Sequence, residues 1–558
     1  MSVRNALVLF LALSTLSLLV GCGSSSNSAT PPPTGGFTTS SLSGTYVFSL
    51  SGTDVSGGNE SFFAIAGTLV ASGGSFSSGS VIDINDPAMA AFVGANSSVQ
   101  PSLPATGSYS ISADGRGTGT IDVTINSEQV QIGIDFVLNS PSGGLITRFD
   151  DNGSGSGTIN LQAAGITQAN LQGSYAFGVA GTNLAGTPLG AAGAFTLDVN
   201  GNATGTEDFN DDGDSDGLTA LPLTSGSVLV GAPGTAHLTA SAGTLSSLGF
   251  DVWVIDSTHL KLIETDSTAI LAGDAFVSTQ TAFPSGPLVF TMLGSDITDA
   301  PLAMGGLLTS TGSGISTGLE DINDAGSVGQ APVVTGSLTP FSGGRTQLTL
   351  DGIFNGGWEV GAVTTPGNYA FAAYPYNGGI ELLEIDSSGG ITAGAAYPQT
   401  PSSLGATQGY ALNLTGSNDA PGEADMIAEF VTTSSGGFSS GLYDTNNLGL
   451  SPNGLVSDLS LGSSTGTYSN DSNGDGRGTV SFPNPQINNN SLSDFASFTF
   501  TFYTINSSSI VFIETDADQL GLGTLQLQNA SGSAGVMQPA FSMVPPAVRA
   551  HGALRKKK

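Results

Sequence analysis

The sequence predicts an all-β protein: four tandem antiparallel meander modules of about eight strands each, closed as small β-barrels or, in the alternative, folded as two-sheet β-sandwiches. Three observations predict it. Phe, Tyr, Val, Ile and Leu recur at alternate positions in short runs, the period of a half-buried strand. Gly, Asn, Asp and Ser separate the runs, and the chain carries 81 glycines, about twice the ordinary share. One order of landmarks returns four times at a spacing of roughly 115–130 residues. No segment offers a long 3.6-period helical face.

Each copy opens on a short apolar or aromatic strand: Gly44-Thr45-Tyr46-Val47-Phe48, Gly173-Ser174-Tyr175-Ala176-Phe177, Gly286-Pro287-Leu288-Val289-Phe290 and Gly409-Tyr410-Ala411-Leu412. A glycine hairpin and an acidic stretch follow, as Asp83-Ile84-Asn85-Asp86, Asp208-Phe209-Asn210-Asp211, Asp321-Ile322-Asn323-Asp324 and Asp444-Thr445-Asn446-Asn447. A Gly-Arg turn recurs at Arg116, Arg345 and Arg477, with Ala236-His237-Leu238 in its place in the second copy. A strand ending in paired carboxylates comes next: Glu264/Asp266, Glu384/Asp386 and Glu514/Asp516, where the first copy has Arg148-Phe149-Asp150. Gln162, Gln280 and Gln528 end the closing strand of three copies, and Gln399 follows a similar position in the third.

In the first copy the strands fall near 45–51, 61–71, 75–84, 106–112, 117–126, 129–138, 144–149 and 156–162. Their connections are short enough for hairpins, so neighbours pair antiparallel, and closure hides the edges of the sheet. The resulting division is 41–165, 166–282, 283–402 and 403–532 for the modules, with a basic tail at 533–558. The opening Gly-x-Tyr strand is faintly similar to the Gly-x-Trp strand of lipocalin and avidin-like barrels, a resemblance of three residues that implies no ligand.

Ahead of the modules, Arg4 precedes an apolar run, Ala6–Val20, that is too short to span a bilayer and ends at Leu19-Val20-Gly21-Cys22, with the sole cysteine of the chain. This stretch resembles a bacterial lipoprotein signal peptide. The resemblance implies that residues 1–21 are removed, that Cys22 is lipidated, and that residues 22–40 form a flexible tether. Gly23 stands where the enteric family rule places Asp for inner-membrane retention, which implies the outer membrane, with the modules exposed at the cell surface. The lipid anchor then makes the membrane itself the first partner.

Charge excludes one class of partner. The formal net charge is −33, and five of the 11 basic residues (Arg549, Arg555, Lys556, Lys557 and Lys558) sit in the tail. Such a field repels phosphate backbones, so nucleic acid is not expected. It attracts divalent cations. Asp212, Asp214 and Asp216, and again Asp471, Asn473 and Asp475, place oxygen ligands at positions 1, 3 and 5 of a calcium-loop start, with glycine at position 6. Position 12 holds Leu223 and Phe482 where a bidentate Glu belongs, and Asx-rich turns produce the same string for conformational reasons.

The Gly-x-Ser-x-Gly strings Gly314–Gly318 and Gly437–Gly441 sit in strand hairpins, not strand-to-helix elbows, and their copies contain no histidine. Paired carboxylates suit glycoside chemistry, but three copies of one active site would be unusual. Arg116, Arg345 and Arg477, with Glu264, Glu384 and Glu514, read instead as structural ion pairs, the aspartates of the acidic stretch being the other candidate partners. Phe136, Trp253 and Tyr503 read as core-filling aromatics in equivalent places. The expectation is a non-catalytic, lipid-anchored envelope protein displaying repeated modules for contact with glycan, matrix or protein. A carrier of apolar ligands inside the barrels is the alternative, and a carbohydrate-active enzyme a weaker one.

Overall fold

The computed structural model describes residues 36–532 apart from 59, 212–217, 229–233, 239–247, 297–299, 354–366, 387–389, 419–421, 449–453, 462–465, 484–496 and 518. The described part of the chain is all-β and forms four antiparallel sheets in chain order.

The first is a closed barrel of β1 (Gly44–Asp54), β2 (Ser61–Ser72), β3 (Ser75–Asn85), β4 (Val99–Ile111), β5 (Arg116–Ile125), β6 (Glu128–Ser140), β7 (Gly143–Asp150) and β8 (Gly153–Leu161). Pairing of β1 with β8, from Tyr46 opposite Leu161 to Asp54 opposite Gly153, closes it. One short helix, α1 (Pro87–Phe92), interrupts the meander after β3. Asp86 caps it by accepting from the Met89 N–H at 3.0 Å, and Pro87 starts it where no N–H is needed.

The second sheet runs β9 (Gly173–Asn183), β10 (Pro188–Leu197), β11 (Asn202–Asp211), β12 (Leu218–Ser227), β13 (Gly234–Leu238), β14 (Leu248–Asp256), β15 (His259–Glu264) and β16 (Ala269–Val277). Strand β16 returns to β9 as β8 does to β1, and the sheet ends at β12 and β13.

In the third, the sequence is β17 (Ser285–Ser295), β18 (Pro301–Thr311), β19 (Gly314–Asp324), β20 (Ser327–Ala331), β21 (Thr335–Pro340), β22 (Thr346–Ile353), β23 (Gly367–Tyr376), β24 (Gly379–Glu384) and β25 (Ile391–Pro398). Strand β19 pairs with β18 on one side and with both β20 and β21 on the other, so two short strands do the work of a fourth and the ring closes.

The fourth repeats that plan with β26 (Gly409–Asn418), β27 (Glu423–Thr432), β28 (Phe438–Asn447), β29 (Leu455–Ser460), β30 (Thr467–Asn470), β31 (Arg477–Pro483), β32 (Ser497–Thr504), β33 (Ser509–Glu514) and β34 (Gln519–Leu527). Here the sheet is open, its two sides meeting at a single bridge between Gly437 and Thr467. Closure is met in the first and third modules only, the second and fourth sheets staying open among the described residues; each module is nevertheless one continuous curled sheet and not a pair of packed sheets.

Each sheet curls around its own apolar cluster. Tyr46, Phe48, Phe63, Phe136 and Ile146 belong to the first, and Tyr410, Phe430, Phe500 and Phe512 to the fourth. Many glycines lie within strands and not in turns. Gly117, Gly193, Gly306 and Gly478 stand directly opposite Phe136, Phe177, Phe290 and Phe502, and a Cβ at Gly117 would fall 2.3 Å from the Phe136 ring. The missing side chains make room for aromatic rings folded across the neighbouring strand, which is why glycine and phenylalanine are abundant together.

One expectation needs correction. The tether does not extend to residue 40: Phe37 and Leu42 are buried in the first module's core, with a 3-10 turn at Thr39–Ser41 between them. The modules also pack against one another. The described residues group as one compact unit, and four further apolar clusters join modules one to two, two to three, three to four and four back to one. Val47 and Phe62 pack with Trp253 and Ile263; Ala176 and Ala192 with Tyr374 and Leu383; Val289 and Leu307 with Tyr503 and Ile513; and Ile427 and Ala411 with Val137 and Leu145. The contacts follow a closed cyclic order.

Candidate binding clefts at the module junctions

The repeated polar residues build the four junctions. The asparagine of each acidic stretch lies near the end of the third strand and donates to carbonyls of the carboxylate-pair hairpin in the next module. Asn85 reaches Glu264 O at 3.1 Å and Ala269 O at 2.9 Å; Asn210 reaches Glu384 O at 2.9 Å and Gly390 O at 3.2 Å. Asn323 reaches Glu514 O, Asp516 O and Gln519 O at 3.0, 3.0 and 2.7 Å. Asn446 closes the cycle on the first module, reaching Arg148 O, Asp150 O and Gly153 O at 3.3, 3.1 and 2.7 Å. The closing glutamines act in the same direction: Gln162 donates to Val254 O, Gln399 to Asp475 O and Thr504 O, and Gln528 to Asp114 O and Leu138 O.

Two residues before each asparagine, an aspartate receives the next module's cation or donor ring. Arg345 Nε and Nη2 grip Asp208 at 2.7 and 2.8 Å, with the Tyr374 hydroxyl on the same carboxylate. Arg477 holds Asp321 in the same two-pronged way at 2.8 and 2.7 Å, beside the Tyr503 hydroxyl. Arg116 lies 3.0 Å from Asp444 and 2.6 Å from Asp458. Burial works against the Arg345 charge, but the hydrogen bond and charge of Asp208 outweigh it and hold the guanidinium more firmly protonated than usual.

In the first junction Trp253 Nε1 donates to Asp83 at 2.8 Å. This corrects the place given to His237: Gly234 lies opposite Val252, so His237, opposite Gly249, is several residues from the arginine position. It also separates the three aromatics. Arg116 faces Val137 and Arg477 faces Tyr503, so Tyr503 corresponds to Val137; Phe136 points into its barrel, while Tyr503 and Trp253 pack at junctions. A shift of one residue reverses the face of a strand.

Within the pairs the glutamates are buried and the aspartates half-buried. The strand ends at the glutamate, and the aspartate two residues on accepts from the backbone N–H of the preceding strand: Asp266 from Gly249, Asp386 from Ala370, Asp516 from Thr499 and, in the first copy, Asp150 from Gly133. Glu264, Glu384 and Glu514 are buried; Glu264 accepts from Asn85 at 2.7 Å and Glu384 from Thr392 at 2.8 Å, and with its amide turned to satisfy both groups Gln519 lies 3.0 Å from Glu514. Burial, helped by Asp266, pushes Glu264 up to about 11.

Arg148, in the glutamate's place in the first copy, is almost wholly buried. It lies 2.7 Å from Asp54 and 3.1 Å from Asp150, over the Phe63 ring. The change from Glu to Arg at a repeat position was the sequence signal for this site.

Cys22 and the calcium-loop candidates Asp212, Asp214 and Asp216 lie outside the described residues. The second string forms a turn committed to Arg477: Asp471 takes its guanidinium at 2.7 Å, and Asp475 takes its backbone N–H at 3.0 Å. Asn473 lies within that turn, and no group of three or more His, Cys, Asp or Glu suited to a metal occurs among the described residues.

Two junctions carry clefts. At the four-to-one junction a cleft of about 300 Å³ is lined by Arg116, Asp135, Asp444, Asp458 and Phe149, with serines at its edge. Burial, reinforced by the Asp444 charge, pushes Asp135 up to about 7. The two-to-three cleft is larger, about 680 Å³, and none of its lining residues is charged; the hydroxyl of its lining Tyr374 shares the Asp208 carboxylate with Arg345.

No family model matches this chain, and no curated protein does. Among solved structures it is similar at 10% identity to intact transferrin-binding protein B, the N and C lobes of "Ap-TbpB", covering 69% of this chain and 83% of that one, with a TM-score of 0.15. A mutant transferrin-binding protein B of Haemophilus parasuis Hp5 gives 10% identity, 71% and 83% coverage and a TM-score of 0.17. A putative AttH of Nitrosomonas europaea gives 10% identity, 44% and 94% coverage and a TM-score of 0.15. These are distant likenesses and assign no family; the fold described above rests on this chain's own strand pairing.

Proposed function

We propose that this protein is a non-catalytic, lipid-anchored component of the bacterial cell envelope, held at the outer membrane and presenting a cyclic body of four β modules for contact with glycan, matrix or protein outside the cell. One observation carries the reading: the repeated polar residues are used up in joining modules to one another, which leaves the junction clefts and loop surfaces as the places where a partner meets the body. The core clusters of the sheets are filled by packed aromatic and aliphatic side chains, which favours this reading over a carrier of apolar ligands. Burial of the glutamates and the backbone-capping role of their aspartate partners favour it over a glycoside hydrolase.

The test follows the anchor and the exposure together. Cells growing on a labelled fatty acid should label the wild-type protein and not Cys22→Ser, and protease added to intact cells should remove the wild-type protein. Labelling that persists in Cys22→Ser, or complete protection of the protein in intact cells, refutes the proposal.

A further inference from the structure

We propose that the cleft between the second and third modules is a binding site for a neutral glycan, an inference that rests on the surface-contact reading above and names its ligand class. At three of the four junctions a turn is closed by a backbone bond to the arginine carbonyl, two residues longer in the fourth module than in the first and third. It is closed by Ser112 N–H to Arg116 O at 2.8 Å in the first module, Phe341 N–H to Arg345 O at 2.8 Å in the third, and Asp471 N–H to Arg477 O at 2.9 Å in the fourth. The arginine is used in the same way each time, but the residue that opens the turn differs: serine, phenylalanine and aspartate. Phe341 is 47% exposed, although it is one of the few large apolar side chains left at the surface. Its ring is held by the Arg345 guanidinium 4.7 Å from its centroid, and that guanidinium is fixed in turn by Asp208. Gly343 and Gly344 follow with φ of +77° and +82°, conformations that favour glycine.

What faces this ring is unusual for so acidic a protein. Nine of the seventeen lining residues carry a hydroxyl and none carries a charge, so the site offers hydrogen bonds without an ionic preference. Ser174 and Thr196, 2.9 Å apart, and the exposed Thr204 and Thr281 come from the second module and the segment that leaves it; Phe341 comes from the third. A hydroxyl both donates and accepts, which matches the hydroxyls of a sugar, and a fixed aromatic face matches the apolar C–H face of a pyranose ring. Anions are disfavoured by a net charge of −33, and cations find better partners at the acidic four-to-one cleft. The volume, about 680 Å³, lies within the range of pre-formed small-molecule sites.

The experiment is calorimetric titration of the full-length, detergent-extracted protein with neutral tetrasaccharides (maltotetraose, cellotetraose, laminaritetraose and chitotetraose) and with anionic tetragalacturonate. At least one neutral tetrasaccharide should bind. Phe341→Ala should weaken it by about tenfold or more, corresponding to about 1.4 kcal/mol of lost ring contact, whereas Phe341→Trp should bind within about threefold of wild type. Asp458→Asn, at the other cleft, should leave it unchanged. Failure of all four neutral ligands to bind overturns the inference, as does binding insensitive to Phe341→Ala or equally strong binding of tetragalacturonate. Protease accessibility on the same cells separates the two levels. An exposed protein that binds none of the sugars sinks the glycan site alone; a protected protein sinks the surface-contact reading.

Discussion

Replacing Asn446 by alanine tests the cyclic order directly, because this residue acts at the one junction whose modules are not consecutive in the chain. The amide has two hydrogens and three carbonyls within reach; the two shorter contacts, 2.7 Å to Gly153 O and 3.1 Å to Asp150 O, count as bonds. Each contributes about 1 kcal/mol net, and a buried carbonyl left without a partner adds to the loss, so Asn446→Ala should cost about 2–3 kcal/mol. That corresponds to a rise of about 30- to 150-fold in local opening. Hydrogen exchange read by mass spectrometry is the assay, and the effect should concentrate on the turn between β7 and β8, at Arg148–Gly153, a segment about 290 residues away in sequence. Asn446→Asp should cost more, since it turns a carboxylate toward carbonyl oxygens. Unchanged exchange at Arg148–Gly153, with a stability loss below about 0.5 kcal/mol, would show that the fourth module does not rest on the first.

Three further outcomes follow from the same geometry. Arg345→Met leaves Asp208 buried without its cation and should cost about 3–5 kcal/mol in chemical unfolding, with Arg345→Lys intermediate and Asp208→Asn recovering part of the loss. Gly478→Ala places a methyl group about 2.4 Å from the Phe502 ring and should lower stability by about 1–3 kcal/mol, with the shift read as a lower thermal midpoint. Stability should rise as pH falls from about 8 to about 5. Burial, opposed by the Ser102 N–H and reinforced by Asp251, raises Asp83 to about 7; burial with the Asp444 charge raises Asp135 to about 7; burial with Asp208 raises Glu207 to about 8. In that window the folded chain holds protons that the unfolded chain has released, so acidification favours folding by up to a few kcal/mol; Asp135→Asn should flatten the profile, and a midpoint that falls between pH 8 and 5 would contradict it.

Much of the architecture was legible because it is local. Alternation along β1 to β8 and the glycine-marked hairpins place the first module's strands within a few residues, β4 excepted, which starts at Val99 and not near 106 because α1 and its connection precede it. The repeated Asp, Asn, Arg and Gln positions were visible as a pattern, but their purpose was not. Within one copy Asn323 is a polar residue near a strand end; only against the fourth module's hairpin does it become a three-carbonyl clamp. The aromatics failed for a related reason: alternation assigns residues to two faces, and Phe136 and Tyr503 are one register apart.

By itself, then, the sequence determined the all-β class, the repeat of landmarks and the positions of most strands of the first module, since these depend on periodicity and turn chemistry within a few residues. Tertiary structure alone decided that the outer faces of the strands at the junctions are buried too, that each module leans on the next, and that the fourth returns to the first. Those contacts join residues separated by up to 414 positions, as Gln528 is from Asp114, and such pairings are set by the mutual fit of folded surfaces and by the need to partner buried polar groups.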